Sequence, residues 1–331
     1  MNAWGFTTTK RRLVLAAAAI ALTFTSPGLA LAQAVPKTIR IVVAYPAGGG
    51  SDVVARALAD KLSVQLGSTV IVENKAGASG AIGLDAVAKS APDGATLGFS
   101  AISPLVLSPH LGKLPFDPRK DIVPVASVIV SPVLLLATPA SKSRDFRGLL
   151  DDAKARPGAI RWATSGPASL GHIILEQLRA ATQVDITHVP YKGGGQQIND
   201  ALGGQFEVLS VNASPLISAH VAAGKLRPLA VGAPTRLESL PQVPTLAELG
   251  IPAANLSSQF GIFAPVGTPS ALVDRYNAEI NKALQSPDLR AKLIAADNVP
   301  SIGSPAEFGK EIASEYEANG RIVKAANIKA D

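Results

Sequence analysis

Apolar positions along the chain switch repeatedly between a strand pattern and a helix pattern. Residues 38–44 form a β-branched, nearly continuous apolar run, which is typical of a strand buried on both faces of a parallel sheet. From position 54 to position 66 an apolar residue recurs at every fourth place with charged residues between, which predicts a helix with one buried stripe. Gly67 follows, where a glycine commonly ends a helix.

The same alternation continues to the end of the chain. It predicts further strands at residues 69–72, 96–100, 133–137, 160–163, 185–189, 207–211, 227–231 and 261–265. It predicts a helix from residue 80 that a Pro-Asp-Gly turn closes at residues 92–94, and further helices at residues 144–155, 169–180, 196–202, 216–223, 270–285, 287–295 and 305–326. Repeated prolines between residues 100 and 139 exclude a long helix there.

This order of elements predicts an α/β protein with two lobes, each built on its own sheet. The first lobe is a β-α-β-α-β unit and takes in residues 35–135 and 260–331, and the second takes in residues 136–259. Residues 133–137 and 261–265 cross between the lobes. Two crossings form a hinge with a cleft between the lobes, which is a usual place for a small-molecule site.

Residues 1–32 have the pattern of a cleaved secretory signal peptide. Residues 10–12 supply positive charge, residues 13–24 are apolar but too few to span a bilayer, and Ala30-Leu31-Ala32 is a small-residue cleavage pattern. Cleavage is expected after Ala32, with Ala34 as the alternative. Arg11-Arg12 also permits a twin-arginine signal, although its flanking residues favour general secretion.

Composition and charge narrow the function classes. The 331 residues are 47% hydrophobic, enough for a large core, and include no cysteine, which excludes disulfides, thiolate metal sites and cysteine nucleophiles. The net charge is +6, and three of these charges lie in residues 10–12, which leaves +3 for the chain after the leader. That charge, with no basic stripe between aromatic residues, argues against a nucleic-acid partner.

A triple glycine joins the first strand to the first helix in "YPAGGGSDVVARALADKL". The free amides and positive dipole end of a helix start form an anion site, and glycines allow a ligand to approach the backbone closely. The loop lacks the lysine of a Walker motif and the third glycine of GxGxxG, which disfavours nucleotide phosphate. The candidate ligand-binding residues here are Pro46, Ala47, Gly48, Gly49, Gly50, Ser51 and Asp52; for Asp52, helix capping is the alternative.

The second lobe repeats this strand-loop-helix device in "RWATSGPASLGHI". Its candidates are Thr164, Ser165, Gly166, Ser169 and His172. Two such loops facing each other across a cleft suit an elongated ligand with a carboxylate at one or both ends. Each charge-assisted hydrogen bond contributes about 1.5–3 kcal/mol, so four would reach the roughly 8 kcal/mol of a micromolar complex.

A third junction, "HVPYKGGGQQ", adds Tyr191 and Gly193, and Asn212 follows a strand end where it could offer an amide to the cleft. Ser103 completes the candidate set. The four histidines form no short-range metal-ligand pattern, and we expect no metal or cofactor. No acid or nucleophile is spaced to make a triad, so we expect no enzyme; the alternative is a hydrolase or transferase that uses His172 with Ser165 or Ser169.

Six segments in this order resemble the periplasmic substrate-binding proteins of tripartite tricarboxylate transporters, the Bug-type receptors. They are "YPAGGGSDVVARALADKL", "VIVENKAGASGAIGLDAVAKSAPDG", "LPFDPRKDIVPVA", "HVPYKGGGQ", "LPQVPTLAELGIP" and "GIFAPVGTPSALVDRYN". The resemblance implies a type II periplasmic-binding-protein fold that closes on a small carboxylate and delivers it to membrane permease subunits. It also implies a periplasmic monomer whose ligand loops are residues 46–52 and 164–169 with His172.

The chain departs from the family pattern in places that bear on ligand identity. Gln259-Phe260 stands where many relatives have an aromatic pair, and Asn319 stands where a tryptophan is common. Pro167 and Ala168 replace the usual Asn-Gly. A ligand-sensing partner of a membrane kinase would share this fold and is the third functional alternative.

Overall fold

The computed structural model describes residues 35–325. Its strands are β1 (Thr38–Val43), β2 (Thr69–Asn74), β3 (Thr96–Ala101), β4 (Ile122–Ala137), β5 (Arg161–Thr164), β6 (Thr187–Pro190), β7 (Val208–Asn212), β8 (Arg227–Gly232), β9 (Ser257–Pro265) and β10 (Val299–Pro300). Its α-helices are α1 (Gly50–Leu66), α2 (Ala81–Ala88), α3 (Ser103–Val106), α4 (Ser108–Leu111), α5 (Phe146–Ala155), α6 (Leu170–Thr182), α7 (Gly194–Leu202), α8 (Pro215–Ala222), α9 (Ser270–Gln285), α10 (Pro287–Ile294) and α11 (Pro305–Ala325).

The strands form two sheets, one in each lobe. In the first, with order β2-β1-β3-β9-β4, β1 runs parallel to β2 and β3, and β9 runs antiparallel to β3 and β4. In the second, with order β8-β4-β7-β5-β6, β5 runs parallel to β6 and β7, and β4 runs antiparallel to β7 and β8. The predicted two-lobed α/β fold is confirmed.

The central strands of both sheets are buried on both faces, as their continuous apolar runs predict. Neighbours on β1 illustrate this: Ile41 packs with α1 and α9, whereas Val42 packs with α2 and α11 in a separate cluster on the opposite face. In the second lobe, Trp162 and Ala163 of β5 likewise belong to different clusters. Strands β1 and β5, which lead to the two ligand loops, are therefore packed on both sides.

Helix α1 follows its sequence pattern closely. Val54, Leu58 and Leu62 are buried, and Gly67 ends the helix with a left-handed φ of 63°. A glycine adopts this conformation without the strain that a side chain would bring. The position of α1, and so of the glycine loop before it, is fixed by this buried stripe.

Two parts of the sequence prediction needed correction. The helix predicted ahead of the Pro-Asp-Gly turn at residues 92–94 covers Ala81–Ala88 and so ends a few residues before that turn. The strand predicted at residues 133–137 begins eleven residues earlier, at Ile122. Pro124 lies at an irregularity in the β4–β9 ladder and Pro132 at its last pair, which are places where a strand tolerates proline.

As a result β4 belongs to both sheets. Its residues 122–132 pair with β9, and its residues 133–137 pair with β7 and β8. The strand passes from one lobe to the other without a loop.

Candidate functional site

A cavity of about 80 Å³ lies between the two lobes. Nine serines line it: Ser51, Ser79, Ser103, Ser131, Ser165, Ser169, Ser210, Ser214 and Ser258. Asn212, Asn298 and apolar residues that include Phe260 complete the wall, and among the described residues no charged side chain takes part. Such a lining recognises polar groups through neutral donors and acceptors.

The serines differ in whether their hydroxyls already make a hydrogen bond within the protein. Six of these hydroxyls make no hydrogen bond within residues 35–325: those of Ser51, Ser103, Ser131, Ser165, Ser210 and Ser258. Ser169 and Ser214 instead cap their own helices by accepting from the amides of His172 and Ile217. Ser79 donates to the carbonyl of Pro167 across the cleft. Six hydroxyls are therefore available to a ligand.

The first-lobe loop presents a helix start whose amides are free. Gly49 caps α1 in an extended conformation and has no side chain to accept from the first turn. The first backbone bond of the helix runs from the amide of Val53 to the carbonyl of Gly49, and the amides of Gly50 and Ser51 have no acceptor among the described residues. These amides point out of the positive end of a 17-residue helix.

Asp52 supports this loop from below and lies outside the cavity lining. Its carboxylate accepts from the amide of Gly48 at 3.0 Å, from Arg56 Nε at 2.9 Å and from Asn74 Nδ2 at 2.9 Å. Burial alone would raise the pKa of Asp52, but the hydrogen bonds from Arg56, Gly48 and Asn74 outweigh it and hold that pKa below its usual value. Asp52 therefore stabilises the loop before α1 and caps no amide of the helix itself.

The second-lobe loop is held together by its own side chains. The buried Thr164 hydroxyl donates to the carbonyl of Gly166 at 3.1 Å and accepts from the Gly166 amide at 3.2 Å. Ser165 lies between them and faces the cavity, and Ser169 lines the cavity while it caps α6. Ser165 is thus the second-lobe loop residue whose hydroxyl faces the cavity unengaged.

His172 lies in the interior of the second lobe and outside the cavity lining. Its Nδ1 accepts from the amide of Ala168 at 3.2 Å, and its Nε2 lies 3.6 Å from a carboxylate oxygen of Glu176. Its ring, 2% exposed, stacks on that of His188 with the centroids 4.2 Å apart. Neither ring nitrogen bonds the hydroxyl of Ser165 or Ser169, as the enzyme alternative would require.

The candidate residues therefore fall into two groups. Those in the cavity lining are Pro46, Gly49, Gly50, Ser51, Ser103, Ser165, Ser169 and Asn212. Those outside it are Ala47, Gly48, Asp52, Thr164, Gly166, His172, Tyr191 and Gly193. Tyr191 donates to Asp200 at 2.8 Å, and burial raises the pKa of its hydroxyl to about 12.

Loops of the two lobes touch around the cavity. A Cβ on Gly193 would come within 2.4 Å of the Pro46 ring, and a Cβ on Gly50 would come within 3.2 Å of the Ser214 Cβ. Ser239 also donates to Asp297 at 2.8 Å between the lobes. The cleft is in a closed arrangement.

Sequence reasoning missed several lining residues. Ser131 and Ser258 are isolated serines within the crossing strands, and their pairing across β4 and β9 is not readable from the sequence. Ser214 was detectable, because Ser-Pro directly after a predicted strand is a helix-start signal. Asn298 arrives from the far end of the chain, after α10.

Two general features of the described part bear on function. Within residues 35–325 no helix combines the length and the apolar character that crossing a bilayer requires. No group of three or more metal-ligating side chains there is placed to hold a metal ion.

Sequence comparison assigns a family to this architecture. Residues 54–328 match the model of the tripartite tricarboxylate transporter family receptor. The chain belongs to this receptor family. BugT of Bordetella pertussis is 37% identical to this Bug-type receptor over 295 residues, which are 88% of the chain and 90% of BugT.

Solved structures of similar proteins agree with the fold. An R. palustris protein with adipate matches at a TM-score of 0.82 and 30% identity, over 88% of this Bug-type receptor and 98% of that protein. MatC from Rhodopseudomonas palustris with bound malate matches at a TM-score of 0.81 and 28% identity, over 86% of the receptor and 98% of MatC. The periplasmic binding protein BugD matches at a TM-score of 0.83 and 26% identity, over 89% of the receptor and 99% of BugD, so the architecture is that of the periplasmic binding proteins.

Proposed function

We propose that this protein is a periplasmic solute receptor that binds a small carboxylate between its lobes and passes it to the membrane permease subunits of a tripartite transporter. One observation supports this above the others. Four helix starts, those of α1, α6, α7 and α8, meet at a cavity that no charged side chain of the described residues lines.

The electrostatics of this cavity favour an anion. Each helix start carries the equivalent of about half a positive charge, so four contribute roughly two. Free amides at α1 and six serine hydroxyls that make no other hydrogen bond supply the hydrogen bonds. Because these donors are neutral and fixed, they can hold a carboxylate and release it unchanged when the lobes separate, which suits a receptor rather than an enzyme.

Cavity size limits the ligand. At about 10–15 Å³ for each water-sized group, a cavity of 80 Å³ holds roughly five to eight such groups. Monocarboxylates of about three to six carbons and dicarboxylates of about three or four carbons fall in this range, whereas a tricarboxylate such as citrate is too large. The adipate and malate bound to similar proteins are carboxylates close to this size.

The proposal also covers the boundaries of the two lobes and the role of the signal peptide. The first lobe is taken as residues 35–135 with 260–331 and the second as residues 136–259, with the cleft closing by rotation about β4 and β9. Export would use the signal peptide at residues 1–32, which lies outside the described residues. The Pro46, Gly49, Gly50, Ser51 and Ser165 positions would contact the ligand.

A thermal-shift panel tests the ligand class. Unbranched mono- and dicarboxylates of two to eight carbons are compared with their neutral amides and with neutral sugars. A carboxylate at 100 times its dissociation constant should add about 2.7 kcal/mol to the free energy of unfolding. Stabilisation by sugars or amides but by no acid would contradict the proposal.

Delivery to a permease needs a separate measurement. Vesicles that contain the membrane subunits should take up the labelled acid only when the receptor is supplied on the outer side. Uptake at the same rate without the receptor would show that the protein binds the acid for another purpose.

A further inference from the structure

One wall of the ligand cavity is formed where three strands lie side by side. Ser131 of β4 pairs with Ser258 of β9, and on its other side β4 pairs with β10, where Val299 lies opposite Val130. The antiparallel register then brings Asn298, the residue before β10, next to Ser131. Asn298, Ser131 and Ser258 all line the cavity, and we name these three residues the polar row.

Asn298 is held in this row by the turn that precedes β10. Its backbone amide donates to the carbonyl of Leu293 at 2.9 Å, and its side-chain Nδ2 donates to the carbonyl of Ala296 at 3.1 Å. Asp297 before it has a left-handed φ of 57° and accepts from Ser239 of the second lobe at 2.8 Å. These bonds fix the side chain of Asn298, which is 3% exposed, at the cavity wall.

The amide oxygen of Asn298 has no hydrogen-bond donor. It is buried and accepts no bond within residues 35–325. Because the carbonyl of Ala296 must be faced by the NH₂ group, the atom without a partner is the oxygen, which accepts and cannot donate. Buried polar groups are normally paired, so this oxygen requires a donor from a molecule in the cavity.

Asn212 repeats this arrangement beside the polar row. Its Nδ2 donates to the carbonyls of Ser131 at 3.3 Å and Pro132 at 3.5 Å, and its oxygen accepts no bond from the described part of the chain. The serine hydroxyls of the cavity differ from these two amide oxygens, because a hydroxyl can donate to a carboxylate as well as accept. An ionised carboxylate has no hydrogen to donate and satisfies neither amide oxygen.

The start of α1 lies close to the polar row. A Cβ on Gly50 would come within 3.5 Å of the carbonyl oxygen of Ala213, and the amide of Ala213 donates to the carbonyl of Pro132 at 3.0 Å. Pro132 directly follows Ser131 in β4. A ligand whose carboxylate lies at the free amides of α1 therefore has its neighbouring carbons beside the polar row.

We propose that the ligand is a hydroxy acid whose hydroxyl donates to the amide oxygen of Asn298, an inference that rests on the proposed function. The positive helix starts oppose an ammonium group, and no carboxylate of the described residues lines the cavity to offset its charge. The donor is therefore a neutral hydroxyl. Asn298 is the residue that selects a hydroxy acid against the plain acid of the same length.

Matched acids titrated into the wild type by calorimetry test this selection. Butyrate is compared with its 2-, 3- and 4-hydroxy forms, and succinate with malate. We expect the best hydroxy acid to bind about tenfold or more tightly than its plain partner, because the plain acid leaves a buried acceptor unpaired. Equal affinity would mean that water satisfies Asn298, and it would overturn the inference.

The amino analogues 2-aminobutyrate and aspartate test the choice of donor. Each should bind more weakly than the matching hydroxy acid, and tighter binding would overturn the assignment of a hydroxyl. Plain acids that bind as well as hydroxy acids leave the proposed function intact. Absence of binding by every acid overturns the proposed function and this inference together.

The variant Asn298→Leu tests the residue, because it removes the amide oxygen but keeps a side chain of similar size. Affinity for the hydroxy acid should fall about tenfold, and its advantage over the plain acid should disappear. Asn281→Leu is the matched control, because Asn281 also has an unpartnered amide oxygen but lies on α9 outside the cavity. The control should keep the preference, and a preference retained in Asn298→Leu would overturn the role of Asn298. The wild-type titrations decide the ligand class even where the variant does not fold.

Discussion

The two ligand loops are built on the same strand-loop-helix plan but satisfy their helix starts differently. In the first lobe Gly49 leaves the first amides of α1 free, and the supporting carboxylate of Asp52 lies beneath the loop. In the second lobe Ser169 caps α6 itself, and Thr164 ties the loop to its own backbone. From this difference we expect the first lobe to provide most of the direct hydrogen bonds to the ligand. The second lobe should provide a preformed wall that closes onto the ligand.

The largest effect should come from preventing the loops from meeting. Gly193→Ala places a Cβ 2.4 Å from the Pro46 ring at a φ of +141°, so we expect a loss of ligand affinity of about 100-fold or more. Calorimetric titration measures it. Gly224→Ala is the control, because Gly224 also has a positive φ of +68° but no atom within 4 Å of the added Cβ. Equal losses in both variants would mean that backbone strain, rather than lobe contact, matters.

Asp52→Asn should weaken binding about tenfold, because the Gly48 amide and Arg56 lose a charged acceptor that shapes the loop. It should also lower the free energy of unfolding by about 1–3 kcal/mol at neutral pH. The folded pKa of Asp52 is lowered, so its stabilisation is complete above the ordinary carboxyl pKa and is lost as pH falls through the lowered value.

Denaturant unfolding of wild type and Asp52→Asn across this pH range checks the prediction. The two stabilities should converge in acid. Tighter carboxylate binding by the variant would show instead that the negative charge beside α1 repels the ligand more than it supports the loop.

Serine substitutions separate the roles of the two loops. Ser51→Ala removes an unengaged hydroxyl and should weaken binding about three- to tenfold, with little change in stability. Ser169→Ala removes a helix cap and should cost about 1 kcal/mol of stability with a smaller change in affinity. Ligand affinity and melting temperature are measured on both variants. A larger loss of affinity in Ser169→Ala than in Ser51→Ala would place most of the direct hydrogen bonds to the ligand in the second lobe.

The smallest effect on binding is expected at His172. Its ring lies outside the cavity, so His172→Gln should change ligand affinity less than about twofold while it loosens the packing on His188. Product analysis after prolonged incubation with the bound acid provides the second readout. Turnover by the wild type that the variant abolishes would restore the enzyme alternative.

Much of the fold could be predicted from local pattern, and much of the site could not. The stripe that ends at Gly67 and the run at residues 38–44 fix β1 and α1, because burial on one or two faces leaves a direct trace in the sequence. The glycine loop could be found because its candidate residues follow one another in the sequence. Ser131, Ser258 and Asn298 meet only through the pairing of distant strands, so no local signal marks them.

His172 is the opposite case, and its part in ligand binding stays a prediction. Its place in the first turn of a helix next to the cleft suggested a ligand contact, but the side chain turns inward to Ala168 and Glu176. The sequence indicates which helix start a residue occupies, whereas the direction of its side chain depends on the room beside it, here filled by the ring of His188.

The unbroken passage of β4 through both sheets limits how the molecule can move. Lobes joined by a flexible loop could change their relative orientation freely. A strand that is hydrogen-bonded along its length can only bend elastically. The opening motions of the lobes should then be small and should return the lobes to the same alignment. Each closure should bring Pro46 back into contact with Gly193.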